Sequence, residues 1–552
     1  MSKRASLLVV LGAMALGALL LEPRLASPTS FDGKYSYLPM ARELLAKGWA
    51  YMHEEASVSY APLAFAWPAL LGAHEYLIRY ANIGLYCASI LYAYLALRAA
   101  HGERAGVVGA LLVAVCPTVP FFIADVMTEA PYIFLVAAWI LCVARVARGG
   151  GAGWIAAGGL SLALAVLARP AAMYFAPLAL AGLAWKRQWR LAALHGVASA
   201  VVGLWILRNA LVFGFPAVAA GVGGALYFGV NPLVDGFDPP YYGMQFDSGI
   251  AQDSLSHLSI HGDRALRAIG TLELLDTPLS ILIPMFAHKA LAFVFVSATA
   301  DTWTDLPWVR AWRIAAVVFA AIGVAVHRRN PVVALLGGLI AYMVVVHTPL
   351  LYSYRYSVGA IDFPLALLAA LGIAETLRSA GRTAAALVAC SLALGAGLVQ
   401  ATPLRGNPMP ERVPTEAAWV GEIDREAVLG RGEHVDFDIP ATSREPWDMT
   451  ILELDIAFEP LARVRCEAMV VRYRKDGQAS FDPWRAIRVA VKQGGGMQRY
   501  DIGATVPLGL DRAGTLRIEP ECSGTTRVAV GTAAVLLSRR ERYYTGLYKA
   551  RR

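Results

Sequence analysis

The sequence predicts a polytopic α-helical membrane protein of about eleven transmembrane helices, followed by a C-terminal β-sandwich of jelly-roll type. Three observations carry this. Of the 552 residues, 57% are hydrophobic and only 16% charged, whereas soluble domains carry about a quarter charged residues. Apolar runs recur at roughly 17–25 residues, the length of helix that crosses a bilayer core. From residue 403 the texture changes to short alternating runs such as "HVDFDI", "ILELDIAF" and "RVAVGTAAVLLS", the period of a half-buried strand.

The spans fall at 5–22, 78–98, 105–122, 128–147, 152–168, 172–186, 191–212, 309–327, 332–349, 356–377 and 383–402. Their short loops divide by charge. Lys3/Arg4, Arg98/Arg104, Arg145/Arg148, Lys186/Arg187/Arg190, Arg328/Arg329 and Arg378/Arg382 fall on one side, while Arg169 and Arg355 stand almost alone on the other. The positive-inside rule makes the first side cytoplasmic. The opening "MSKRASLLVVLGAMALGALLLEPRLAS" also has the form of a signal peptide ending near Ala26, but removing it would break that parity, so it reads as an uncleaved anchor. The apolar stretch 280–300 holds His288 and Lys289 at its centre. A mid-membrane lysine costs about 2.5–3.5 kcal/mol, so this stretch reads as re-entrant or interfacial.

The expected organisation is therefore a membrane domain over 1–402, with large outer loops 23–77 and 213–308, and an extracytoplasmic β-domain over 403–552 with a basic tail. Minimal inner loops and elaborate outer ones point to work on the outer face. Nothing in the chain suggests nucleic acid as a partner. Cys466 and Cys522 lie in the β-domain and suit either a disulfide or two buried thiols. Trp447 and Trp484 suit either a sugar-stacking surface or the core of a structural lid, and the second is preferred.

Several outer residues suit chemistry. Asp32 follows the first span and precedes "YSYLPMARELLAKG", which places Tyr37, Leu38, Met40, Ala41, Leu44 and Leu45 largely on one face of an interfacial helix. A second, proline-broken apolar segment, 60–72, completes a platform with Asp32 at its edge. Asp125 and Glu129 stand at the outer end of the fourth span. Carboxylates meeting there fit general-base work or a metal ion; capping or surface salt bridges are the plain alternative. Arg208, Lys289 and Arg355 are the cations that could converge on a phosphate, though an outer arginine often only anchors lipid. Glycines 221, 223, 224 and 229 allow close backbone approach to a ligand.

Taken in order, these pieces resemble the membrane glycosyltransferases of the GT-C superfamily, nearest the branch holding protein O-mannosyltransferases and lipid A aminoarabinose transferases. The match runs through Asp32–Gly48, Tyr60–Gly72, Thr128-Glu129, Arg208-Asn209, Gly223-Gly224, Asn231-Pro232 and Arg355-Tyr356. The resemblance implies inverting transfer of a sugar from a polyprenyl-phosphate donor to a hydroxyl of a lipid, glycan or protein acceptor, at the outer (periplasmic) face of a bacterial inner membrane. It implies Asp32 as base, and Asp125 and Glu129 orienting the acceptor or a divalent cation. Arg208, Lys289 and Arg355 would hold the donor phosphate, with Tyr35, Asn209, Asn231 and Tyr356 at the substrates. Many relatives carry Asp-Glu where this chain has Asp32-Gly33, which weighs against a metal at that loop. The competing reading is a flippase or transporter of lipid-linked sugars, against which stands the lack of an internal repeat. A polysaccharide ligase, suggested by His257, His261, Arg264 and Arg267, is more distant.

Overall fold

The protein is described by a computed structural model that covers residues 3–26, 29–30, 32–116, 120–230, 258–277, 279–295, 306–378, 416–441, 449–461, 466–477, 486–490, 497–506 and 513–538. The expected span 383–402, together with Asn231, His257, Trp447, Trp484 and the basic tail, lies outside the described residues. The chain divides into two compact units, residues 1–221 with 286–405, and residues 222–285 with 406–552.

The first unit is helical. Helix α1 (Lys3–Leu21) leads through a π-helical turn (Gly33–Tyr37) into α2 (Leu38–Lys47) and α3 (Pro62–Leu70). Helices α4 (Glu75–His101), α5 (Glu103–Ala114) and the short α6 (Pro120–Ile123) precede α7 (Glu129–Ala147), α8 (Ala152–Ala168), α9 (Phe175–Trp185) and α10 (Trp189–Phe213). Two helices of the second unit follow, α11 (Val222–Val230) and α12 (Ile260–Asp276). Beyond them come α13 (Leu279–Phe295), α14 (Leu306–His327), α15 (Pro331–His347) and α16 (Tyr354–Thr376). Among the described residues, five helices are long and apolar enough to cross a membrane: 4–21, 75–101, 129–147, 189–213 and the 359–376 part of α16. Five shorter apolar helices accompany them. This is a multi-pass membrane protein.

The helix after the first span buries most of the face expected to be apolar. Tyr37, Leu38 and Ala41 are buried, Met40 and Leu44 partly so, and Arg42, Glu43 and Lys47 are exposed; Leu45 departs from the expected face and is exposed. Helix α16 is held by close contact and by charge. A Cβ on Gly372 would fall 1.9 Å from the Phe319 carbonyl oxygen, and one on Gly323 would fall 2.5 Å from that of Leu368. Glycine on both sides lets the backbones of α14 and α16 touch, the usual device where lipid supplies no hydrophobic drive between helices. Arg313 and Asp362, both fully buried, pair between the same two helices. Arg313 Nη1 also donates to the carbonyls of Phe293 (3.1 Å) and Val294 (3.0 Å) and to Ser357 Oγ (3.2 Å), fastening the end of α13 to α16. Within α13, Lys289 is buried in protein, its ammonium 5.4 Å from the Phe286 ring.

In the second unit, α11 packs on α12 through Gly223 of the first and Gly270 of the second. The Gly223 amide donates to Asp263 Oδ1 at 2.7 Å, and a Cβ there would lie 1.9 Å from the Asp263 carbonyl oxygen. The backbone that approaches Gly223 is thus that of α12.

Among the described residues the β-domain has eight strands, β1 (Glu416–Leu429), β2 (Val435–Ile439), β3 (Met449–Pro460), β4 (Cys466–Lys475), β5 (Ala486–Ala490), β6 (Gln498–Val506), β7 (Gly514–Cys522) and β8 (Thr526–Ser538). They form two antiparallel sheets in the orders β1-β8-β3-β6 and β2-β7-β4-β5, the double-sheet arrangement of a jelly roll. Alternate residues from both sheets, among them Phe437, Ile439, Ile456, Phe458, Met469, Val471, Ile518 and Val530, fill one core. Cys466 and Cys522, register partners on β4 and β7, form a disulfide.

Two outcomes follow. Gly372→Val forces α14 and α16 apart, and its thermal unfolding in detergent should fall well below that of the wild type. Breaking the disulfide, which closes a loop of sequence separation 56, should destabilise the β-domain by up to about 4 kcal/mol. Limited proteolysis of the full chain with and without reductant measures it.

Candidate active site

The residues that meet at the head of the first unit come from distant stretches. Asp32 opens the π-helical turn, and Gly33 beside it is pressed against the neighbouring loop, where a Cβ would fall 2.8 Å from the Val126 carbonyl oxygen. Glu129 is the first residue of α7, where a carboxylate complements the helix dipole. Arg355 is the second residue of α16.

Arg355 joins them. Its Nε donates to Glu129 Oε1 at 2.6 Å, its Nη1 donates to Asp32 Oδ2, and its Nη2 lies 3.4 Å from the Tyr37 hydroxyl. Glu129 is 1% exposed, Arg355 13% and Asp32 31%. A second guanidinium, Arg169 at the end of α8, approaches the same Glu129 Oε1 at 3.3 Å. Glu129 Oε2 is buried with no hydrogen-bond partner among the described residues. Tyr37 stands edge-on to Tyr60, their ring centres 5.1 Å apart. Burial lifts the Tyr37 phenol far above its ordinary range, against the opposing charge of Arg355, so it stays protonated and can donate.

Asp125 is placed differently. Its carboxylate accepts from the amides of Ser30 (3.1 Å to Oδ2) and Val126 (2.6 Å), and Arg79 Nη2 lies 3.9 Å away. Its backbone carbonyl accepts from Asn82 Nδ2 at 2.7 Å, and Asn82 Oδ1 accepts from Trp67 Nε1 at 2.9 Å. Burial raises the Asp125 carboxyl, offset in part by these donors. Asp125 ties the loop after α1 to the loop before α7.

The other expected residues separate. Asn209 is fully buried and donates to the Ala217 carbonyl at 2.7 Å, closing the turn after α10. Arg208 donates to Asn209 Oδ1 at 2.6 Å, and its guanidinium lies 5.0 Å from the rings of Trp205 and Phe213. Among the described residues no hydrogen bond or ion pair links Arg208 to the Asp32–Arg355–Glu129 cluster. Tyr35 is 58% exposed, with Lys34 over its ring. Tyr356 lies beside the cluster, its ring 6.0 Å from the Arg169 guanidinium and 6.2 Å from His347.

Sequence reasoning missed Arg169, which served only to orient the membrane. A cation closing an apolar run just before Pro170 was the available signal. It also missed Tyr37 as a polar partner and Arg79 as the hub of Leu25, Thr29, Glu75 and Asp125.

A divalent cation does not fit this donor set. Among the described residues no group of three or more His, Cys, Asp or Glu side chains could hold one. The two facing carboxylates already share the guanidinium of Arg355.

Removing one member of a buried ion pair leaves an uncompensated charge, at about 3–5 kcal/mol. Glu129→Gln leaves the guanidiniums of Arg355 and Arg169 without the carboxylate they share and should cost stability of that order, and Glu129→Gln with Arg169→Met should recover part of it. Chemical unfolding in detergent micelles distinguishes the two.

Residues 62–213 match the family model of the dolichyl-phosphate-mannose-protein mannosyltransferases. Among curated proteins, none matches the chain by sequence. Among solved structures, the chain is similar to the archaeal oligosaccharyltransferase AglB from Archaeoglobus fulgidus, solved with an inhibitory peptide and a dolichol-phosphate. That match has 15% identity and a TM-score of 0.41, and covers 74% of this chain and 57% of the archaeal one. The apo form of the same enzyme gives a TM-score of 0.42 at 14% identity, covering 73% and 55% of the two chains. This chain therefore spans little more than half the length of the archaeal oligosaccharyltransferase. ArnT from Cupriavidus metallidurans, bound to undecaprenyl phosphate, is similar at 16% identity and a TM-score of 0.30, covering 69% of this chain and 80% of its own. Over residues 62–213 the chain is thus similar to the dolichyl-phosphate-mannose-protein mannosyltransferases, and the ordered motifs around that stretch resemble those of the GT-C superfamily.

Proposed function

We propose that the chain transfers a sugar from a polyprenyl-phosphate donor to an acceptor hydroxyl, with inversion, at the outer face of a bacterial inner membrane. One observation carries the reading. Of the three candidate acids, Asp32 is the most exposed, 31% against 16% for Asp125 and 1% for Glu129, and it faces a fixed guanidinium. A base must come within hydrogen-bond reach of the proton it takes, and Asp32 is placed to do so.

The acceptor hydroxyl gives its proton to Asp32 while its oxygen attacks the anomeric carbon. The bond from that carbon to the phosphate oxygen breaks on the opposite face, and the departing phosphate gains a negative charge. Arg355 is the cation placed to stabilise that charge, since fixed donors in a dry site act without reorganisation. Glu129, buried behind it, holds Arg355 in place. Lys289 and Arg208 are proposed for the phosphate by motif alone. Tyr356, beside the cluster, and the exposed Tyr35 are proposed for the substrates, and Asn231 is proposed by motif alone. Asp125 and Asn209 are proposed to act through the loops they fix. The disulfide of the β-domain supports an oxidising, extracytoplasmic location for it, in line with the basic residues of the short loops.

Asp32→Asn keeps the shape and removes the base. In membranes given a radiolabelled sugar on polyprenyl phosphate, it should lose at least about 100-fold in turnover. Equal turnover by both proteins would move the base to another acid. No turnover by the wild type with any of several donors would favour transport of the lipid-linked sugar.

A further inference from the structure

Arg169 holds none of the roles assigned above, yet its surroundings are specific. Its side chain is 11% exposed and shares Glu129 Oε1 with Arg355. The rings of Tyr132 and Tyr356 lie 5.8 and 6.0 Å from its guanidinium. It passes directly over α16 at Gly359, where a Cβ would fall 1.7 Å from Nη1. Glycine is a poor helix former, and here its missing side chain is the space that Arg169 occupies.

The charges explain what a second guanidinium does. Asp32 and Glu129 carry two negative charges, and Arg355 and Arg169 carry two positive ones, so the four side chains are neutral together. Without Arg169 the cluster would be an anion facing an anionic donor. When Asp32 takes the acceptor proton, the cluster becomes a cation in the same step that gives the leaving phosphate its extra negative charge. The field then matches the transition state better than the ground state, which is the condition for acceleration.

We propose that Arg169, admitted across Gly359, is a positioning residue of the transfer reaction: by sharing Glu129 it keeps Arg355 directed at Asp32 and the cluster neutral before transfer. This rests on the reading of the chain as a lipid-donor transferase with Asp32 as its base.

Arg169→Gln and Gly359→Ala should each lower kcat by about 100-fold, the scale of a 1 Å misplacement, with the donor KM near that of the wild type. The double variant should lose no more than either single one, because both remove one contact. Arg169→Lys, which keeps the charge but loses the planar fork, should recover part of kcat. A raised donor KM with unchanged kcat would overturn the proposal in favour of direct phosphate contact. Multiplying losses in the double variant would overturn it as well. Should the wild type turn over no lipid donor, the functional reading falls and this role falls with it. Thermal unfolding of the single and double variants then still decides the contact: non-additive losses would uphold the Arg169–Gly359 packing, and additive ones would reject it.

Discussion

The architecture of the site hangs on one buried carboxylate. Glu129 begins α7 deep enough in the protein that its charge must be matched from within, since an isolated ion in such surroundings is prohibitively costly. The match comes from Arg355 on α16 and Arg169 at the end of α8, so a single negative charge draws the heads of three helices to one point. The helix contacts below are what such a meeting requires. α14 and α16 touch backbone to backbone at Gly323 and Gly372, and Arg313 locks α13, α14 and α16 together. Glu129 fixes Arg355 at one end, leaving the other end of the guanidinium for the more exposed Asp32.

The outer loops form a second layer of control. Asp32 sits in a π-helical turn whose following residues are pinned by the apolar face of α2, and its glycine neighbour allows the 125–126 loop to lie against it. Asp125, Asn82, Trp67 and Arg79 then stitch that loop to α3, α4 and the segment after α1. A catalytic acid on a loop acquires the precision of one on a helix only through such support. The polar side chains here thus divide into Asp32, Glu129 and Arg355, which meet one another, and Asp125, Asn82, Trp67 and Arg79, which hold the loops presenting them.

Much of this was legible in the sequence. Hydropathy placed the helices because a bilayer dictates length and composition together, and alternation placed the strands because one face of each sheet is buried. The amphipathic face of α2 was readable from its spacing, apart from Leu45. Asp32, Glu129 and Arg355 were named from their motifs. Their junction could not be read from spacing, for Arg355 lies 226 residues from Glu129 and 323 from Asp32. The same blindness hid Arg169, and it misread Gly223, where the close approach that glycine permits is made by another helix of the chain. A local pattern shows that a residue type is needed; only the fold shows what needs it.

The jelly roll carries a consequence for how such a chain can be remodelled. β1 and β8 are antiparallel neighbours, with Glu416 opposite Leu537, so the chain enters and leaves the module at one seam. A module whose two ends meet can be excised, exchanged or inserted elsewhere without rethreading the rest of the polypeptide. The β-domain is in this sense a cassette, closed on itself at a single seam.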